Sequence, residues 1–241
     1  MIQVKLNAIA STNDFLKSNK DLDMLPNFTV VTAEHQTNGR GQRGATWVSE
    51  PGKNLITSIL VREFYTQKED PFELIIAVSV AVHSALQAFE IPELAIKWPN
   101  DIMSGNKKIG GILIENIHKS DKNVISIVGL GLNVNQISFE GYPNASSLAA
   151  ICKQTFDKQL LLEKIVSLIE FMLSNWEKER ESCHFNYQNW LFRKGIPSAF
   201  QTPHGSFNGS IEGVNKDGKL EVRNEFDQLL AFDLKEIQLI F

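Results

Sequence analysis

The feature that most constrains this chain is a pair of segments that join flexible glycines to fixed positive charge. The first runs Gly39-Arg40-Gly41-Gln42-Arg43-Gly44 and is followed by Trp47. The second runs Lys97-Trp98-Pro99-Asn100-Asp101 and is followed by Lys107-Lys108-Ile109-Gly110-Gly111. Each adjoins a strand pattern, so the fold has to include a sheet whose strands run into both. Glycine frees backbone N–H groups to approach an anion closely, and Lys or Arg neutralises its charge. A site that handles an anionic nucleotide and an activated acyl group needs that combination.

The patterns around these segments read as an α+β chain. A helix begins near residues 11–20, where Ser11 or Thr12 supplies a cap. The β-branched run from Phe28 to Ala33 predicts a buried strand leading into the glycine-rich loop, and Asn54 to Val61 predicts a second. Apolar residues at helical spacing across 71–90 predict a helix against a sheet. Strands follow at Ala95–Trp98, Ile109–Glu115 and Val124–Leu130. An amphipathic helix is expected from Lys158 to Arg180. Past Gly195, short alternating strands at Ser206–Val214, Lys219–Arg223 and Leu229–Asp233 predict a small β unit, with a hairpin turn at Asn215-Lys216-Asp217-Gly218. The expected division is therefore 1–194 and 195–241, the second part being too small for a robust core of its own. No internal repeat or low-complexity segment stands out.

Composition excludes more than it identifies. With 241 residues, a net charge of −4 and 22% charged residues, the chain lacks the basic balance of a nucleic-acid protein. Its two cysteines, Cys152 and Cys183, sit in no metal spacing, which reads as reduced thiols. There is no membrane-length apolar run, and Met1–Leu6 lacks the apolar core of a signal peptide. A cytoplasmic location is expected.

Read one at a time, the chemical segments are ambiguous. Gly39–Gly44 is neither a P-loop nor a dinucleotide fingerprint, because no GK[ST] and no helix pattern follow. Gln36 offers an amide donor and acceptor, and Trp47 a flat face for an aromatic ring. Lys107-Lys108 alone is a solvated hairpin tip, and Asp101 a turn cap. Against an idle loop stand the bulky Trp98 and rigid Pro99. In Gly129-Leu130-Gly131-Leu132-Asn133, two glycines at a strand end let another group pack on the backbone. Ser11-Thr12-Asn13 is a helix cap whose hydroxyls also suit a ligand.

Together these pieces resemble the biotin protein ligases, also called biotin–[acetyl-CoA-carboxylase] ligases. The matching stretches are STN at 11–13, HQTNGRGQRGATW at 35–47, KWPND at 97–101, KKIGGILIE at 107–115 and GLGLNVN at 129–135. They stand in the family's order, and GSIEGVNKDGKLEV…KEIQLIF fits its small SH3-like domain. The fold implied is a mixed β-sheet with helices packed on one face, plus that C-terminal β-barrel. The activity implied has two steps: biotin and MgATP give biotinyl-5′-AMP, which then acylates a lysine of a biotin carboxyl carrier domain.

By this resemblance, Ser11, Thr12, Asn13 and Gln36 hold biotin together with Gly39, Arg40, Gly41, Gln42 and Gly111. Lys108 serves the acyl oxygen and the phosphate. Arg43, Trp47, Lys97, Asn100 and Asn133 serve the nucleotide. Lys108, Arg40 and Asp101 form the catalytic set, with Asp101 orienting or deprotonating the carrier lysine. A homodimer is implied by resemblance only.

Two departures bear on these expectations. Some members carry Arg where this chain has Gln42, so Arg40 or Arg43 takes more of the phosphate's charge. Some carry an N-terminal winged helix, for which Ser11-Thr12-Asn13 leaves no room, and no DNA binding is expected. The enzymatic rival is a lipoate ligase or lipoyl/octanoyl transferase, which would need a long apolar tunnel. The non-enzymatic rival is a nucleotide-binding adaptor, which the presence of Lys108 and Asp101 disfavours.

Overall fold

Neighbouring valines 30 and 31 show how the main sheet is built. Val30 joins one core cluster and Val31 another, because successive residues of a strand point to opposite faces. Leu60 and Ile127 likewise face away from Ile59 and Val128. A sheet covered on both sides explains why FTVVTA and NLITSILV read as continuous rather than alternating apolar runs. The fold is that of a computed structural model describing residues 2–66, 71–119 and 123–241, apart from the side chains of Arg43, Tyr65, Thr66 and Asn123.

In chain order the main sheet comprises β1 (Gln3–Ile9), β2 (Val30–Gln36), β3 (Leu55–Thr66), β4 (Leu94–Lys97), β5 (Asp101–Ser104), β6 (Lys107–His118) and β7 (Asn123–Leu132). Its seven strands lie in the order β1-β2-β3-β7-β6-β5-β4. The β1–β2 pair is parallel and the other pairs are antiparallel, so the sheet is mixed. On one face lies α2 (Phe72–Gln87), which is buried nearly all round because α4 (Lys158–Ser174) and α5 (Trp176–Asn189) cover its outer side. The short α1 (Thr12–Lys17) covers the other face through Leu16, beside Val31, Leu60 and Ile127. A five-residue helix, α3 (Leu148–Cys152), follows the sheet.

The C-terminal part is a five-stranded antiparallel sheet made of β8 (Ser198–Thr202), β9 (Gly205–Val214), β10 (Leu220–Asn224), β11 (Leu229–Phe232) and β12 (Gln238–Ile240). It matches the expected SH3-like unit. Its buried Phe200, Ile211 and Val222 belong to the same cluster as α2. The small sheet therefore shares a core with the large one. Trp98 helps fasten it, donating its Nε1–H to the Gly218 carbonyl at 3.0 Å.

Several elements differ from the sequence reading. The helix expected over 158–180 is two helices, broken at Asn175, which leaves helical geometry and caps the first with its own amide on the Phe171 carbonyl. The strand expected from Phe28 begins at Val30, because Phe28 has a φ of 59°. β1, β5, β8 and β12 are strands that the patterns did not reveal. Among the described residues no helix is long and apolar enough to cross a membrane.

Candidate functional site

The glycine-rich loop, α1 and the ends of β5, β6 and β7 enclose a cavity of about 250 Å³. Its floor is a closed set of hydrogen bonds. Ser11 caps α1 by accepting the Asp14 N–H, which turns Thr12 and Asn13 inward, and all three are buried. Thr12 donates both its backbone N–H (2.8 Å) and its hydroxyl (3.0 Å) to Gln36 Oε1. Ser58 Oγ lies 2.7 Å from Thr12 Oγ1 and 2.5 Å from Asn13 Oδ1. Asn13 Nδ2 donates to Glu115 at 2.7 Å.

Two close approaches to the backbone of β7 complete the walls. A Cβ at Gly129 would lie 2.6 Å from Asn13 Oδ1. At Gly131 it would overlap the indole of Trp47. The pair of glycines thus seats one side chain each, as their place at the strand end suggests. Gly39 is tight for a similar reason, lying against the Trp47 carbonyl and the Gln36 amide. It supports the wall from behind, whereas Arg40, Gly41 and Gln42 line the cavity.

At the opposite end stand Lys108 and Asp101, paired at 2.6 Å. A bulge brings them together. β5 pairs Asp101 with Gly111 and Ile102 with Gly110, but Met103 with Lys108. The extra residue in β6 returns Lys108 to the face carrying Asp101 and Gly111. A Cβ at Gly111 would lie 3.4 Å from Lys108 Cε and 3.6 Å from Asp101 Oδ1, so its absence leaves this corner open. Asn100 also lines the cavity, but its Nδ2 donates to the Ile112 carbonyl and its own carbonyl accepts the Ile112 N–H at 3.1 Å. That exchange fixes the turn carrying Asp101. Tyr187 holds the same turn from outside, donating to the Pro99 carbonyl at 2.7 Å across a cis Trp98–Pro99 bond.

An adjoining cavity of about 410 Å³ shares Trp47 and Lys108 with the first and contains Asn133. Trp47 Nε1 and Asn133 Oδ1 are buried there with no hydrogen-bond partner among the described residues, while Asn133 Nδ2 donates to the Ser146 carbonyl at 3.0 Å. Lys108 Nζ lies 6.0 Å from the centre of the Trp47 ring. Lys97 is placed differently. It pairs with Asp101 across the β4–β5 hairpin but faces the cleft between the two sheets, 4.9 Å over the Phe241 ring. Burial holds its pKa below the ordinary lysine value, with Asp101 opposing and Lys108 adding to the effect. Gln42 borders both that cleft and the main cavity. The Arg43 side chain lies outside the described residues.

Ser58 and Glu115 belong to the site although sequence reasoning singled out neither. The signal for Ser58 was a polar residue inside the apolar run NLITSILV. Gln136 is another: its Oε1 accepts Asn54 Nδ2 (2.6 Å) and the Glu50 N–H (2.9 Å), pinning the segment after Trp47. Among the described residues no group of three or more His, Cys, Asp or Glu side chains is arranged to hold a metal.

Comparison with known proteins agrees with this architecture. Residues 6–133 match the profile of the Biotin/lipoate A/B protein ligase family. The chain is 28% identical over 218 residues to a Bifunctional ligase/repressor BirA from Bacillus spizizenii, covering 87% of this chain and 66% of that protein. It is 27% identical to a Biotin–[acetyl-CoA-carboxylase] ligase from Mycobacterium tuberculosis, covering 78% and 69% of the two chains. The chain thus spans just under two thirds of the Bacillus relative's length. A solved biotin protein ligase from Aquifex aeolicus, in complex with biotin and ATP, superposes with a TM-score of 0.82 at 26% identity, covering 99% of this chain and 98% of that one.

Proposed function

The chain belongs to the Biotin/lipoate A/B protein ligase family, and from that premise we propose that it is a biotin ligase acting through biotinyl-5′-AMP on a lysine of a biotin carboxyl carrier domain. The observation that carries this reading is the contrast along one cavity. A neutral floor of paired donors and acceptors (Thr12, Gln36, Ser58, Asn13) lies at one end and the Lys108–Asp101 pair at the other. Biotin's ureido ring is neutral and needs such a floor, while its carboxylate has to meet a phosphate.

In the first step the biotin carboxylate attacks the α-phosphorus and pyrophosphate leaves. Lys108 turns from Asp101 to offset the repulsion of the two anions and to stabilise charge on the phosphoryl oxygens. Arg40, with Arg43, supplies charge that Gln42 lacks. Trp47 covers the adenine, and Asn133 Oδ1 accepts from its edge. A MgATP substrate brings its ion on its own phosphates.

In the second step the carrier lysine's amine attacks the acyl carbon and AMP leaves. Asp101, released from Lys108, orients that amine or takes its proton. Asn100 and Lys97 act as supports, Asn100 by fixing the turn and Lys97 from the cleft beside Asp101. We keep 1–194 and 195–241 as the working division. Net charge −4 supports the expectation that this chain does not bind DNA, and a cytoplasmic dimer remains part of the proposal.

The test is pyrophosphate release with ATP, Mg²⁺ and biotin, run beside lipoate, followed by addition of a carrier domain and mass spectrometry of its lysine. Biotin-dependent release and a biotinylated lysine support the proposal. Release with lipoate alone moves the chain to the lipoate branch of its family. Silence with both withdraws the catalytic roles.

A further inference from the structure

Four charged side chains meet where the glycine-rich loop around Arg40, which lines the cavity, touches α1. Its base is tied down by the backbone: Asn38 N–H to the Ala10 carbonyl at 3.0 Å, and Trp47 N–H to the Gly39 carbonyl at 2.9 Å. Its tip is tied by Arg40, whose guanidinium pairs with Asp14 of α1 and lies 3.7 Å from Glu115 of β6. Lys17 bridges the same two carboxylates, at 3.2 Å to Asp14 and 2.6 Å to Glu115. Two carboxylates and one lysine leave one uncompensated negative charge, and Arg40 completes the balance.

This cluster connects to the cavity floor. Glu115 Oε2 accepts Asn13 Nδ2, Asn13 Oδ1 meets Ser58 Oγ, Ser58 meets Thr12, and Thr12 meets Gln36. One carboxylate therefore faces the loop with its charge and the floor with its lone pairs. We infer that Asp14 and Glu115 are positioning residues, a latch that holds Arg40, and with it the Gly39–Gly44 wall, closed over whatever lies on the floor. For biotin as that ligand, the inference rests on the function proposed above. Burial raises the Asp14 carboxyl, but hydrogen bonds from Lys17 and Arg40 outweigh it and hold the group below its usual value, so Asp14 is charged at neutral pH.

Asp14→Asn combined with Glu115→Gln tests this in the full chain. The glutamine still accepts from Asn13, so the floor stays intact while the charge is lost. The latch is partly exposed, so its worth is that of a surface ion pair. Biotin dissociation, measured by chase, should quicken about two- to fivefold in the double variant. Wild-type dissociation should also quicken between about 0.05 and 0.5 M KCl more steeply than the variant's, because the variant lacks the latch's share of the screened charge. A merely structural role would not move that salt slope. Wild-type dissociation and salt slope in the variant would overturn the latch. Slower dissociation would also overturn it, since the carboxylates would then be competing with the ligand for Arg40. Amide exchange across 39–46 in the ligand-free protein decides independently of biotin: faster exchange in the variant supports the latch, and an unchanged rate refutes it. Failure of the wild type to bind biotin would sink the proposed function and leave the exchange result to judge the latch.

Discussion

The floor of the main cavity and the Trp47 side of its neighbour handle polar atoms in opposite ways. Thr12, Asn13, Gln36 and Ser58 answer one another at 2.5–3.0 Å, whereas Trp47 Nε1 and Asn133 Oδ1 are buried with no partner among the described residues. Buried polar atoms without partners are rare and costly, so those that persist call for an explanation. The floor contributes to folding, and on the proposed function it selects a neutral ligand that can join an existing network. On the proposed function, the indole side gives up some stability to keep these groups for the nucleotide. Between them Lys108 and Asp101 neutralise each other, and the proposed function has substrates separate them.

The largest expected effect falls on that middle ground. Lys108→Ala should slow adenylate formation about 10²- to 10³-fold, the range for losing one preorganised donor to a developing anion. Gln42→Ala, which removes no charge, should cost far less. Single-turnover measurement of both checks the ranking, and equal losses would refute it. Asp101→Asn comes next. It should slow transfer from preformed biotinyl-AMP about 10²-fold, at the lower end of what general acid–base catalysis contributes. Normal transfer in that variant removes Asp101 from the proton's path and leaves it a partner of Lys108 alone.

Two glycines on one strand sharpen the comparison further. Gly129→Ala pushes on Asn13 and so on the floor, while Gly131→Ala pushes on Trp47. Overpacking of this kind costs about 1–3 kcal/mol, or roughly a 5- to 150-fold loss of affinity where the ligand site bears it. The first variant should raise KM for biotin and the second KM for ATP. Both variants raising the same KM would show that the two ends are not separate sites.

Much of this division was legible in the residues, and what was missing has a physical cause. Glycines 129 and 131 announced close approach, but nothing local said that Asn13 and Trp47 would be the side chains approaching. Those partners lie far along the chain and meet only when β7 takes the centre of the sheet. The Lys107-Lys108 pair read as a solvated tip. A one-residue bulge, invisible in composition, turned Lys108 onto Asp101. β1 was missed because an edge strand with an open side needs few apolar residues, and β5 because four residues carry too short a period. The helix break at Asn175 was hidden by apolar residues that continue the spacing across it.

The smallest expected effect separates the two ends by stability rather than rate. Thr12→Val keeps the shape but removes a hydroxyl that serves Gln36 and Ser58 at once, so two hydrogen bonds are lost while Gln36 keeps the Thr12 N–H and Ser58 keeps Asn13. That costs about 1–3 kcal/mol, or roughly 2–10 °C in Tm for a chain of this size. Asn133→Leu loses the bond to the Ser146 carbonyl but also removes an oxygen that was already unpaired. The two changes oppose each other, so its Tm should stay within about 2 °C of wild type while nucleotide affinity falls. Thermal melts with and without ATP check both. A Thr12→Val protein as stable as wild type would mean that the floor is held open for ligand just as the indole side is, and the contrast between the two ends would disappear.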